Sequence, residues 1–258
     1  FGPGSMTRDD MKEALEIGSS DDSDYSNLRC STLQKIEIFL ESWSDEGFKR
    51  KLKKSIEILE ETFVRYKAEK VCLSFNGGKD CTVLLHLAEA IRIKIQPSSQ
   101  ALKTLHVVQN DLFPELLSFV EQCSQWYNLP VVEYQGSIKD ALKNLKVTLP
   151  ILDSFLIGTR RTDPYSCSLD YFQMTDSDWP QFMRVNPLLD WDYKDVWIFL
   201  KELNLPYCKL YDEGYTSIGN RANTLRNPSL KYFDEHGNEK YKPAYLLNDT
   251  SNERQGRL

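Results

Sequence analysis

The sequence predicts an α/β protein: a doubly wound, mostly parallel sheet followed by an irregular C-terminal appendage. Three features predict it. Short apolar runs that do not alternate with polar residues recur along the chain, as they do in strands buried on both faces. Most of these runs are followed by a segment of helical period, and repeated strand-then-helix order is the signature of a parallel sheet with crossover helices. Beyond Tyr207 the periodicity fades and Gly, Asn, Pro, Lys and Arg dominate to Leu258, a stretch too long to be plain loop in a compact domain.

The elements follow in order. Phe1–Ser5, FGPGS, reads as a remnant of cloning, and Gly18–Ser26, GSSDDSDYS, as a solvated polar segment, so ordered structure is expected from near Ser31. From Phe48, the residues Leu52, Ile56, Leu59 and Phe63 recur at helical spacing and form one buried stripe. Val71–Phe75 is a short apolar strand ending in Asn76-Gly77-Gly78, and Val83, Leu84, Leu87, Ala88 and Ile91 give the next segment its helical period. Thr104–Val108 follows as a strand and Pro114–Tyr127 as a helix, with Pro114 suited to a first turn. Val131–Tyr134 is a strand, Ile138–Leu145 a helix, Ser154–Ile157 a strand running into Gly158, and Met183–Val185 a fifth strand. Asp192 is placed to cap a helix carrying Val196, Phe199, Leu200 and Leu203, which Pro206 stops.

Composition narrows the function. With 258 residues, 41% hydrophobic and 27% charged, the chain buries a real core and is neither disordered nor fibrous. Its formal net charge of -6 gives no basic field, which argues against sequence-blind nucleic-acid binding. No run approaches the roughly 18 apolar residues of a membrane span, so a soluble, intracellular, cytoplasmic protein is expected, without a membrane or nucleic-acid partner and monomeric. The six cysteines form no CxxC pair, and the three histidines (His86, His106, His236) leave little for a histidine metal centre or a Ser/His/Asp triad.

Two strand ends carry the chemistry. Ligands of doubly wound sheets bind outside the carboxyl ends of strands. The first such end reads Ser74-Phe75-Asn76-Gly77-Gly78-Lys79-Asp80: the glycines let an anion approach the backbone, the helix start offers N–H groups and a positive dipole end, and Lys79 adds a cation. Phosphate is the expected guest, although neither GxGxxG nor GxxxxGKS/T spacing is present. The second reads Gly158-Thr159-Arg160-Arg161-Thr162-Asp163-Pro164, whose adjacent guanidinium groups match phosphate oxygens. The competing readings are a tight strand-to-helix turn and a pair of solvated arginines before a turn.

Ser74–Thr82, SFNGGKDCT, resembles the pyrophosphatase loop of the adenine-nucleotide hydrolases related to phosphoadenylyl-sulfate reductase, whose usual form is SGGKDS. Asn76 for the first serine and Cys81 for the last are typical of eukaryotic, fungal-type FAD synthetases (FMN adenylyltransferases). The resemblance extends through GTRRTDPYS (Gly158–Ser166), TDSDWPQFMRVNPLLDW (Thr175–Trp191), YDEGYTSIGNRANTLRNPSL (Tyr211–Leu230) and NERQGR (Asn252–Arg257). It implies a modified Rossmann-like nucleotide-binding domain over residues 31–206, after a scar and polar segment at 1–30, with residues 207–258 completing the flavin and phosphate site.

The resemblance also implies a nucleotidyltransferase of FAD biosynthesis, with ATP and FMN as substrates under Mg²⁺ and FAD and pyrophosphate as products. By motif, Ser74, Phe75, Asn76, Gly77, Gly78, Lys79 and Asp80 would hold the ATP phosphates, with Asn76 or Asp80 on the metal; Gly158, Arg160 and Arg161 would line the same cleft. Adenine would lie against Val107, Val108 and Gln109. Asp163, Asp176, Trp179 and Arg184 would form the flavin pocket, and Arg254 and Arg257 a phosphate clamp. Such chemistry needs no histidine, because a phosphate monoester with a second pKa of about 6 is already a nucleophilic dianion at neutral pH. A reductase of this fold would want a redox cysteine beyond Cys208 and a tRNA-thiolating enzyme a basic face and paired cysteines; the chain has none of these. A flavin or adenine-nucleotide sensor that binds without turnover is the alternative.

Overall fold

The computed structural model describes residues 28–258. The expected cloning remnant and polar segment at 1–26 lie outside the described residues. Helices α1 (Leu28–Ser42) and α2 (Glu46–Tyr66) precede β1 (Val71–Ser74), α3 (Lys79–Ile95), β2 (Lys103–Val108), α4 (Pro114–Tyr127), β3 (Val131–Gln135), α5 (Ile138–Thr148) and β4 (Ser154–Leu156). Then come β5 (Phe172–Met174), β6 (Met183–Val185), α6 (Tyr193–Glu202) and a small hairpin, β7 (Lys231–Phe233) with β8 (Glu239–Tyr241).

The main sheet has the order β3-β2-β1-β4-β6-β5. Every neighbouring pair is parallel except β5 with β6, which is antiparallel. The mostly parallel α/β architecture predicted from the repeated strand-then-helix order is therefore the observed one. Strand order reverses at β1, which pairs β2 on one side and β4 on the other, so the crevice beyond the carboxyl ends of β1 and β4 is the switch point where such sheets bind ligands.

The two faces of the sheet are covered unequally. On one face α3 is the central helix, packed by α1, α2 and α6, and every residue from Cys81 to Arg92 is buried. Its charged Glu89 and Arg92 are tolerated there as a pair, at 2.9 Å, with Glu89 also accepting from the Leu102 N–H. On the other face α5 stands alone, laying Ala141, Leu142 and Leu145 over Cys72, Leu105, Phe155 and Phe182. The strip that α5 leaves uncovered becomes a cavity.

Local chemistry fixes the element ends. Asp45 accepts from the Gly47 and Phe48 N–H groups at the start of α2, and Asp192 caps α6 in a reciprocal capping box with Asp195, as the sequence predicts. Besides the β7–β8 hairpin, the structure adds two elements to those expected. Helix α1 buries Ile36 and Phe39, and β5 is a three-residue edge strand. The C-terminal segment folds back onto the main core: Cys208, Leu210, Tyr211, Leu230, Ala244 and Leu247 belong to the same apolar cluster as α3. Its last residues are pinned by the Leu225 N–H to the Gly256 carbonyl and the Leu258 N–H to the Asn223 carbonyl, at 2.7 and 3.1 Å.

Candidate active site

The loop after β1 turns on Gly77, whose φ of +76° an L side chain rarely adopts. Asn76 closes the turn: its Oδ1 accepts from the Gly78 N–H at 3.0 Å and from the Cys81 thiol at 3.1 Å. Burial pushes that thiol up to about 12, so it stays protonated and donates. The first N–H of α3, on Lys79, is not free for an anion, because it donates to the Tyr211 hydroxyl at 2.8 Å. Across the crevice, the end of β4 comes so near that a Cβ on Gly158 would lie 3.0 Å from the Asp80 carbonyl carbon and the Cys81 nitrogen.

Lys79 is not the mobile cation that the sequence suggests. Its side chain is 3% exposed because the start of the central helix is buried, and its ammonium meets Asp80 at 3.1 Å and Glu253 at 2.6 Å. Arg160 is equally buried and joins the same group: Nε lies 2.9 Å from Asp80 Oδ1, and Nη2 lies 2.6 Å from Glu253 and 3.4 Å from Asp163. Two buried cations thus face three carboxylates. Burial alone would raise the Asp80 carboxyl, but Lys79 and Arg160 outweigh it and hold Asp80 below the usual range. For Asp163 burial wins over its bonds to Arg160, and its carboxyl is raised. The Nη1 of Arg160 is buried with no hydrogen-bond partner, which leaves one strong donor unspent.

Arg161 does not join this group. It turns outward to Asp190 at 2.6 Å and donates to the Leu169 and Cys167 carbonyls. Arg254 is exposed and Arg257 half-buried; among the described residues neither makes an ion pair. The Arg257 guanidinium lies where a Cβ on Gly219 would be, 2.4 Å from Nη2, and burial together with the like charge of Arg254 lowers its pKa.

The apolar partner of this charged end is a cavity of about 240 Å³ on the sheet face that α5 leaves open. Leu105, Phe155, Phe182 and Trp179 give it flat apolar walls, and Asp176, Arg184 and Ser74 give it a polar edge. Phe155 and Phe182 meet edge to face at 4.8 Å between centroids, and Lys139 lies over the outer face of the indole of Trp179 at 5.4 Å. The Nε of Arg184 is buried without a partner. Of the residues expected around a flavin, Asp176, Trp179 and Arg184 come together here; Asp163 instead accepts from the Arg160 N–H at 2.9 Å. Val107 and Val108 end β2 half-buried and Gln109 is exposed just beyond them. Phe75 is buried, its N–H on the Leu105 carbonyl.

Four contributors escaped the sequence reading: Tyr211, Glu253, Thr216 and Asn227. Tyr211 and Glu253 stand inside the motifs YDEGY and NERQGR, but no local pattern says that they meet Lys79.

Fold and crevice together define an α/β protein with a charged, glycine-lined turn at its switch point and a flat apolar slot beside it. The comparisons with known proteins sharpen that class. The phosphoadenosine phosphosulfate reductase domain profile matches residues 70–148 and 136–226. A probable FAD synthase of Schizosaccharomyces pombe is 39% identical over 216 residues, 82% of this chain and 80% of the yeast protein. A probable FAD synthase of Caenorhabditis briggsae is 44% identical over 214 residues, 81% of this chain but 40% of the worm protein; the chain thus spans about two fifths of that relative. The crystal structure of Candida glabrata FMN adenylyltransferase with FMN and the ATP analogue AMPCPP superposes with a TM-score of 0.83 at 27% identity, covering 91% of this chain and 97% of that one. The chain belongs to the phosphoadenosine phosphosulfate reductase domain family and, within it, to the FAD synthases.

Proposed function

We propose that the protein transfers AMP from ATP to the phosphate of FMN, giving FAD and pyrophosphate. The observation that carries this reading is the adjacency of two unlike subsites: a slot with aromatic walls and a polar edge, and a charged, glycine-lined turn, both at the carboxyl ends of β1 and β4. An isoalloxazine ring is flat and apolar with a polar pyrimidine edge; Trp179, Phe155 and Phe182 suit the plane, and Asp176 and Arg184 the edge. The FMN-bound and AMPCPP-bound relative supports the same pairing of ligands.

The FMN phosphate is itself the nucleophile, so no general base is required. The barrier is the approach of a dianion to the α-phosphorus of a polyanion, and the protein's work is in-line positioning and charge neutralisation. Asn76–Asp80 and Arg160 line the triphosphate side, Arg254 and Arg257, free of ion pairs among the described residues, clamp the phosphates, and adenine lies along Val107–Gln109.

Mg²⁺ would offset phosphate charge. The chain offers it little: Asn76 Oδ1 already accepts two hydrogen bonds, and no group of three His, Cys, Asp or Glu side chains is placed to hold a metal ion among the described residues. Asp80 is the loop carboxylate that fits, as one ligand beside phosphate oxygens. The protein is taken as a cytoplasmic monomer without a nucleic-acid or membrane partner; no described helix is long and apolar enough to cross a membrane.

Mixing the protein with FMN, ATP and Mg²⁺, with riboflavin replacing FMN in parallel, tests the reading by chromatography. FAD from FMN and no product from riboflavin is expected. Saturable quenching of flavin fluorescence without FAD would favour the sensor.

A further inference from the structure

The acid of the tail motif does more in this structure than its arginines. Glu253 Oε1 lies 2.6 Å from both Lys79 Nζ and Arg160 Nη2, with its side chain 13% exposed and theirs 3% and 2%. Its main chain is tied as firmly: the Thr216 hydroxyl donates to the Glu253 carbonyl at 2.6 Å, and Asn227 Nδ2 donates to Thr216 Oγ1 and to the Asn252 carbonyl, each at 2.8 Å. Thr216 and Asn227 are wholly buried. Two of the three N–H groups of the Lys79 ammonium are taken by Asp80 and Glu253, and the rings of Tyr193 and Tyr211 stand at 5.4 and 6.0 Å from it.

We propose that Glu253 is a positioning residue that fastens the C-terminal segment to the phosphate loop, with Lys79 and Arg160 as its buried counterions, so that Lys79 serves the reaction through Glu253 and not by touching ATP. A carboxylate shared by two buried cations is worth keeping in place, since its loss leaves Lys79 with Asp80 alone and Arg160 with Asp80 and the more distant Asp163. Next to it in sequence, Arg254 is exposed and Arg257 half-buried, and both are free of ion pairs among the described residues. The backbone bonds of Gly256 and Leu258 to Leu225 and Asn223 hold the last residues, and the bonds at Glu253, Thr216 and Asn227 fasten the stretch just before them to the phosphate loop. The strut acts across sequence, joining the second residue of the NERQGR motif to the lysine of SFNGGKDCT.

The kinetic arm of the test rests on the proposed adenylyl transfer; the proteolytic arm does not. Glu253→Gln keeps the shape and removes the charge. Limited trypsin digestion followed by mass spectrometry reads release after Arg254 and Arg257: the wild type is expected to resist, and Glu253→Gln to be clipped at least about tenfold faster, because local opening governs cleavage. Lys79→Met carries the same arm should Glu253→Gln fail to fold. In the FAD-forming assay each single variant is expected to lose about 30-fold in kcat with the affinity for FMN, read by fluorescence quenching, unchanged within about twofold. The double variant should lose no more than about 100-fold, because the two residues act as one unit. A double loss near the product of the singles, about 1000-fold, would show Lys79 acting on phosphate independently and overturn the proposal. So would a tail in Glu253→Gln as resistant as wild type, or tighter ATP binding by that variant, which would make Glu253 a competitor of the nucleotide. A wild type that forms no FAD yet shows the same difference in clipping defeats the functional reading and leaves the strut standing.

Discussion

At one end of the crevice Lys79, Asp80, Arg160, Asp163 and Glu253 pair with one another within a few ångströms; at the other, Leu105, Phe155, Phe182 and Trp179 enclose about 240 Å³ of open space. The charged end is assembled from three distant stretches of chain and owes its geometry to ion pairing. The apolar end is a gap between the sheet and the start of α5, whose Ile138 and Leu142 also line it. The contrast teaches how a crevice can hold two unlike groups side by side: a site for phosphate chemistry has to hold its charges in place before substrate arrives, while a site for a flat ring only needs shape and a few polar atoms at its rim.

The sharpest way to break the comparison is Arg160→Ala, which removes the one side chain shared by all three carboxylates. FAD formation should fall by a factor of 100 or more, on the order of 3 kcal/mol of lost charge stabilisation, while FMN still quenches in the slot. Acid should act on the scaffold beneath the charged end before it acts on the slot. His86 of α3 is wholly buried between the Tyr127 hydroxyl and the Pro206 carbonyl, and burial lowers its pKa to about 4. The unfolded chain, with a histidine pKa of about 6.5, therefore takes up its proton first. The stability this residue protects is complete above about pH 6.5 and is lost as the pH falls towards 4, up to about 3 kcal/mol. Urea unfolding midpoints across that window should slope steeply for the wild type and less for His86→Gln.

Gly158→Ala tests whether the two strand ends must touch. A methyl group 3.0 Å from backbone atoms of Asp80 and Cys81 has no flexible neighbour to displace, and a loss of about 1–3 kcal/mol in thermal stability is expected from overpacking. Trp179→Ala addresses the other end: FMN affinity should weaken about tenfold, the scale of one lost aromatic contact, with the KM for ATP unchanged. The smallest effect is expected at Arg161. Its guanidinium is spent on Asp190 and two loop carbonyls, so Arg161→Ala should leave kcat/KM within about threefold, the difference of an exposed ion pair. A much larger loss would bring Arg161 into the crevice and end the division drawn above.

Sequence pattern carried the fold where burial was strong and local. The helix Pro114–Tyr127 and the strand Met183–Val185 have the bounds expected from Pro114 and from apolar runs. The first helix carries Leu33, Ile36, Phe39 and Leu40 at helical spacing, yet the sequence reading assigns no element between Ser31 and Phe48. Phe172–Met174 is three residues long and edge-paired, too short for any period to register. For the site, motif resemblance brought together Asp176, Trp179 and Arg184, which periodicity alone leaves unconnected. It could not give the Lys79–Glu253 contact: an ion pair across 174 residues depends on how the tail folds back, and charge leaves no local trace of its partner.

The central claim is that the crevice joins the α-phosphoryl group of ATP to FMN. Incubating the protein with FMN, Mg²⁺ and ATP labelled in turn at the α- and γ-phosphates tests it most directly. The account predicts α-label in FAD and γ-label in pyrophosphate only. FMN that binds but acquires no α-label would contradict it.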